Sequence, residues 1–251
     1  MTAAPWPYPL WIAHRGAGRL APENTLAAFR VGAAHGFRAF ECDVKLSRDG
    51  VPFLLHDATL ERTTNGAGAA ADHDWSTLSR LDAGGWHGRA TAGEPPPTLE
   101  AIARYCRANG HALNIEIKPS PGREAETGEA VARAASDLWR GAPAWPLLSS
   151  FKPAALAAAR AAVPDLPRAL LLDQLRDGWL DEALALGCAA VVFNHGLVDA
   201  AMLTPLRARG LRALAYTVND AAEVVRLTAL GLDGLITDAV DRFSPALPGL
   251  V

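Results

Sequence analysis

AFECDVKLSRDGVPFLLH, residues 39–56, decides how this chain can fold. Its two apolar runs, Ala39–Lys45 and Pro52–His56, read as strands, and the LSRDGV between them contains an Asp-Gly turn. So short a link cannot hold the crossover that two parallel strands require, so the second run is expected to return antiparallel on the first. Outward from this hairpin, further strand candidates are Leu10–His14, Ala112–Lys118, Leu147–Phe151, Arg168–Leu172, Ala190–Asn194, Arg212–Val218 and Gly234–Thr237. Helical stretches separate most of them: Thr25–His35 behind an N-cap at Asn24, Thr98–Asn109, Ala154–Val163, Leu180–Leu186 and Ala221–Leu230. With the hairpin return set aside, eight strands remain in 251 residues. That pattern predicts an α/β fold, a (β/α)8 TIM barrel, with a doubly wound open sheet as the alternative. Residues 57–97 break the rhythm with TTNGAGAA, DAGGWHG and AGEPPP and predict an irregular insertion or lid, with a short helix at Trp75–Leu81. It sits inside a single domain spanning 1–251, and the final PALPGLV is expected to fray.

Half the residues are hydrophobic and 20% are charged, which excludes disorder, collagen and coiled coil. A formal charge of -3 leaves no global basic field, so no nucleic-acid partner is expected and an anionic ligand must be met by a local cluster. The three cysteines, Cys42, Cys106 and Cys188, lack metal-type spacing and suit a reducing compartment as core thiols. MTAAPWPYPLWIAHRG has no basic leader region, and no apolar run reaches about 18 residues. The expectation is a cytoplasmic protein with no stable membrane insertion. The apolar N-terminal segment could cap the barrel bottom or a partner, which leaves a homodimer open. Only three of the 24 basic residues are lysines, Lys45, Lys118 and Lys152, which gives each lysine's position more weight.

The chemistry-bearing residues fall at the carboxyl ends of the strand candidates, the functional rim of a parallel barrel. They are His14-Arg15, Glu41 with Asp43, His56-Asp57, Glu116 with Lys118, and Thr217 with Asn219. Strand side chains alternate, so Glu41 and Asp43 share a face, as do Asn114, Glu116 and Lys118. Three carboxylates converging in an apolar rim repel unless a cation sits between them, and an all-oxygen set suits Mg²⁺ or Ca²⁺ better than Zn²⁺. Without a metal, Glu41 and Asp43 would instead be paired with Arg15 or Lys118. His14 and His56 could act as general acid and base, and Arg15 with Lys118 describes a phosphate pocket. HRGAGRLAPENT, residues 14–25, offers either backbone N–H donors to a phosphate or a plain strand-to-helix turn.

The chain resembles the glycerophosphodiester phosphodiesterases. The resemblance is carried by HRGAGRLAPENTLAAF at 14–29, ECDVKLSRDGVPFLLHDATLERTTNG at 41–66, NIEIKP at 114–119, SSF at 149–151, YTVND at 216–220 and GLITD at 234–238, and it covers essentially the whole length. It implies a barrel bearing the hairpin insertion, a divalent cation held by Glu41, Asp43 and Glu116, and catalytic histidines at His14 and His56. It also implies substrate contacts at Arg15, Lys118, Phe151, Tyr216 and Asn219. The implied substrate is a small glycerophosphodiester such as glycerophosphocholine or glycerophosphoethanolamine, released as an alcohol and sn-glycerol 3-phosphate. Phe151 matches the regular aromatic partner for the glycerol's apolar edge. Tyr216, with Asn219 in the same motif, stands where the family often has Trp, which bears on alcohol preference. In the mechanism so read, a neighbouring hydroxyl attacks phosphorus, with His14 as first base and His56 as acid, and water opens the cyclic phosphate. The competing readings are a phospholipase C or D-like lyase that stops at the cyclic phosphate, a metal-dependent sugar isomerase or aldolase, and a headgroup-binding barrel without activity.

Overall fold

A computed structural model describes residues 6–243 and 245, so most of the expected frayed end lies outside the described residues. Eight parallel strands close on themselves: β1 (Trp11–Ala13), β2 (Ala39–Leu46), β4 (Ala112–Ile117), β5 (Leu147–Ser150), β6 (Arg168–Leu172), β7 (Ala190–Asn194), β8 (Arg212–Tyr216) and β9 (Gly234–Thr237). β1 pairs with β9 through Trp11–Leu235 and with β2 through Ala13–Phe40, and this double pairing excludes the open sheet. β3 (Pro52–Leu54) returns antiparallel on β2, Leu54 opposite Val44, as the short link requires.

Helices α1 (Leu26–Ala34), α2 (Trp75–Leu78), α3 (Leu99–Ala108), α4 (Glu124–Leu138), α5 (Pro153–Ala162), α6 (Trp179–Ala185), α7 (Ala200–Ala208) and α8 (Ala221–Ala229) fill the connections. The N-cap of α1 is Thr25 rather than Asn24: the Thr25 hydroxyl accepts from the Ala28 N–H, while Asn24 takes φ 59. Asn24 tolerates that left-handed backbone better than most residues, and the turn frees its amide for another task.

Alternation along the strands separates two cores. Trp11, Ala13, Phe40, Leu148, Leu170, Phe193 and Ala213 face outward to the helices. Ile12, Ala39, Leu147, Ala169, Val192, Leu214 and Ile236 face inward and fill the barrel. Trp6 and Tyr8 pack onto that interior cluster, so the N-terminal segment does cap the barrel bottom. The insertion has a small core of its own, with Leu60, Ala70 and Leu78 packed on Phe53 and Leu55. Cys42, Cys106 and Cys188 are free and buried, and burial pushes each thiol up.

Candidate active site

The inward parity that makes Ala39 a core residue carries two steps on to Glu41 and four to Asp43. The register sets Glu41 beside Asn114 and Asp43 beside Glu116. Glu41, Asp43 and Glu116 are buried, and each offers a carboxylate oxygen within 4.8 Å of the others. Burial and the charges of Asp43 and Glu116 raise the Glu41 carboxyl well above its usual range. Burial and the Asp43 charge likewise push Glu116 up to about 7. Burial alone would raise Asp43 as well, but Lys118, Arg15 and His56 outweigh it and hold this carboxyl low.

The pairing expected in the absence of a metal is present in part. Lys118 Nζ lies 2.9 Å from Glu116 and 3.3 Å from Asp43, and Arg15 Nε lies 3.3 Å from Asp43. Asn24 donates to Asp43 Oδ2 at 2.8 Å and accepts from the Asp43 N–H at 3.0 Å. Glu41 is served by less: the Arg15 N–H at 3.1 Å and, at 3.8 Å, His14 Nε2. Two cations do not neutralise these three acids, because Arg15 is also paired with Glu23 at 2.8 Å. A compact, buried, all-oxygen set with residual negative charge is the donor chemistry of a hard divalent cation.

His14 and His56 line one cavity of about 340 Å³ with Arg15, Glu41, Glu116 and Lys118. Each imidazole is anchored through Nδ1: His14 to Asp238 at 2.6 Å, His56 to Asp57 at 2.6 Å. That leaves Nε2 of each ring for proton transfer. Burial lowers the His56 pKa, and the charges of Arg15 and Lys118 add to the effect, against Asp43 and Asp57. Phe151 and Tyr216 meet edge to face at 5.7 Å in the cavity wall, with Lys118 5.8 Å from the Phe151 ring centre.

Asn219 stands a step behind the cavity. Its amide donates to Asp238 Oδ2 at 3.0 Å and accepts from the Asp238 N–H at 2.8 Å, so it holds the carboxylate that holds His14. The glycine loop behaves as the plain turn. The N–H groups of Arg15, Gly18 and Arg19 are engaged by Glu41, His14 and Asp238, and a Cβ on Gly18 would lie 2.1 Å from the Asp238 carbonyl oxygen. Glu94, from the insertion, accepts from the Ala27 N–H at 2.9 Å and occupies the start of α1. Arg15 itself takes φ 50, a left-handed strain that aims its N–H at Glu41 and its side chain at Asp43 and Glu23.

Several residues of the site carry no role assigned from the sequence. Asp238 follows the apolar run of β9 and could have been found by the same strand-end rule that picked out Glu41. Lys45 is buried within β2, donates to the His56 carbonyl at 3.1 Å and has its pKa lowered to about 8 by burial. Asn114 Oδ1 and Ser149 Oγ line the cavity, buried and without a hydrogen-bond partner. Asp173 lines the same cavity and accepts from the Tyr216 hydroxyl at 3.2 Å. Asp173 directly follows β6 and falls under the same strand-end rule, whereas Glu23 lies in a turn, where no periodicity marks it.

Residues 14–242 match the model of the glycerophosphoryl diester phosphodiesterase family. The chain belongs to this family. A glycerophosphodiester phosphodiesterase of Caldanaerobacter subterraneus subsp. tengcongensis is 31% identical over 234 residues, covering 91% of this chain and 93% of the relative. Among solved structures, an Oleispira antarctica phosphodiesterase in complex with the product sn-glycerol 3-phosphate superposes with a TM-score of 0.85 at 33% identity, covering 94% of this chain and 95% of that one. A glycerophosphodiester phosphodiesterase of Agrobacterium tumefaciens gives a TM-score of 0.80 at 27% identity, covering 94% and 98%. The protein is therefore an enzyme, a glycerophosphodiester phosphodiesterase, built on the barrel its strand pattern predicts. Among the described residues no helix is long and apolar enough to cross a membrane.

Proposed function

We propose that the enzyme hydrolyses small, water-soluble glycerophosphodiesters, glycerophosphocholine and glycerophosphoethanolamine among them, to an alcohol and sn-glycerol 3-phosphate. One observation carries the reading: two carboxylate-anchored histidines, a buried acidic triad, Arg15 and Lys118 all surround one cavity. The bound sn-glycerol 3-phosphate of the Oleispira antarctica relative supports this product and favours hydrolysis over a lyase that stops at a cyclic phosphate.

Glu41, Asp43 and Glu116 would hold the divalent cation, Mg²⁺ or Ca²⁺, which when bound supplies Lewis-acid polarisation of the phosphoryl group and the adjacent glycerol hydroxyl. Arg15 and Lys118 bind the phosphoryl oxygens and offset the charge that grows on them. A bound phosphodiester also offsets the two cations that depress His56, and so favours its protonated form. His14 takes the proton from the attacking hydroxyl at Nε2, while His56 donates to the departing alcohol. In the second step the two exchange roles as water opens the cyclic ester. Phe151 and Tyr216 receive the apolar edge of the glycerol, and the phenol held by Asp173 tunes the fit.

The test is release of sn-glycerol 3-phosphate from a panel of glycerophosphodiesters with Mg²⁺ and Ca²⁺ supplied in turn. No product above the uncatalysed rate with either ion would reject the activity, and full turnover in excess chelator would reject the cation. Cyclic phosphate trapped in a single turnover supports attack by the neighbouring hydroxyl; its absence at every time point points to direct attack by water.

A further inference from the structure

Arg62 lies in the irregular insertion, its side chain 44% exposed, and it is not among the residues lining the catalytic cavity. Its guanidinium nevertheless joins two parts of the site. Nε donates to Asp57 Oδ2 at 2.6 Å and Nη2 to Asp57 Oδ1 at 3.0 Å. On its other edge, Nη1 donates to Glu23 Oε2 at 2.8 Å and Nη2 to Glu23 Oε1 at 2.8 Å. Asp57 is the carboxylate that anchors His56, and Glu23 is the carboxylate that receives Arg15 Nη1 at 2.8 Å. Hydrogen bonds from Arg62 are the leading reason the Asp57 carboxyl is held low.

We propose that Arg62 is a positioning residue of the phosphodiesterase reaction, setting the His56 ring through Asp57 and the Arg15 guanidinium through Glu23. The inference rests on the roles given above to His56 and Arg15. Its physical basis is the planar fork of arginine, which can serve two carboxylates at once with paired, directional bonds. Both carboxylates hydrogen-bond to the same Nη2, so they face each other across one cation. Without that cation they repel, and each is free to rotate away with the group it orients. A lysine at the same place restores the charge but not the two pairs of bonds. The insertion thereby reaches the catalytic machinery through a single side chain, although Arg62 itself touches neither His56 nor the phosphoryl position.

The experiment is a mutant cycle on the full-length enzyme with glycerophosphocholine and a saturating divalent ion. Arg62→Gln is expected to lower kcat by about 10–100-fold while the melting temperature moves little, since partly exposed ion pairs contribute little to stability. Arg62→Lys should recover less than about a third of the lost kcat. In a His56→Ala background the same Arg62→Gln change should cost at least about threefold less than in the wild type, because the ring it positions is gone and only the branch through Glu23 to Arg15 remains. An undiminished loss in both His56→Ala and Arg15→Ala backgrounds overturns the proposal, as does full recovery by lysine or a wild-type-background loss under about threefold. Should the glutamine variant unfold, the lysine variant runs the same cycle. Absence of wild-type turnover would sink the proposed function, whereas normal wild-type turnover with additive losses would sink only the role of Arg62.

Discussion

The two ends of the barrel are made from the same strands and are chemically opposite. At the amino end Ile12, Ala39, Leu147, Ala169 and Leu214 close on one another beneath Trp6 and Tyr8, with no charge among them. At the carboxyl end, two residues further along the same face of β2, Glu41 and Asp43 begin a cluster of buried acids, cations and imidazoles. The strained backbone at Arg15 and Asn24 lies on this side as well. Dispersion and the hydrophobic effect stabilise one end, so the other can carry groups whose mutual repulsion and desolvation are unfavourable. Changes at the two ends should therefore fail in different ways.

The largest effects belong to the catalytic end. His14→Ala and His56→Ala should each reduce kcat by about 10²–10⁴-fold with unchanged melting temperature. Replacing the choline ester by a p-nitrophenyl ester sharpens the point: the loss in His56→Ala should shrink, since that leaving group needs no acid, while the loss in His14→Ala should persist. Equal losses for both esters in both variants would reject the assignment of acid and base.

At the amino end, Leu214→Ala should reverse that signature. Leu214 is fully buried, so its truncation should cost about 2–5 kcal/mol in denaturant unfolding with kcat near normal at temperatures where the variant is folded. A large fall in kcat at unchanged stability would erase the division between the two ends.

Glu116→Gln should weaken divalent-ion affinity by about 10–100-fold, read by calorimetry, while raising the melting temperature of the chelated protein by relieving repulsion with Asp43. The smallest effect is in the pH dependence. Glu116 has its pKa raised to about 7, so the folded protein binds this proton more tightly than the unfolded chain. Its contribution to stability is then fully present below the ordinary glutamate pKa and is lost as pH rises towards 7. Melting of the chelated enzyme should fall across that window, and the gain on adding the ion should grow with pH. Pairing Lys118 with glutamine in place of Glu116 should flatten both trends.

Much of the fold was legible because its signals are local. The six-residue LSRDGV link forced an antiparallel return, and strand-end acids spaced by two pointed one way whatever surrounded them. Helices α1, α3, α5, α6 and α8 were found to within a residue or two for the same reason, whereas α4 and α7 were not among the candidates and α2 ends three residues short of its expected bound. The cap of α1 also differs, because the turn at Asn24 is decided by Asp43 on the neighbouring strand. The support behind the site was less legible. Asp238 reaches His14 across 224 positions of sequence, and Glu94 meets α1 from 67 positions away. No periodicity or spacing encodes those meetings. Asn219 illustrates the limit: its motif marked it as a substrate contact, whereas its hydrogen bonds serve the carboxylate behind His14.

Alternation of side chains and the length of one turn are properties of a short stretch of backbone, so residue order was enough to specify a parallel barrel with its ionisable groups on one rim. Closure of that barrel is a property of the whole chain. It brought β1 against both β2 and β9, and only then did Asp238 meet His14 and Arg62 meet Glu23, completing the support of a histidine and of the phosphate-binding arginine. Hydrogen bonds and ion pairs act over a few ångströms of space, and distance along the chain does not report that proximity until the fold has closed.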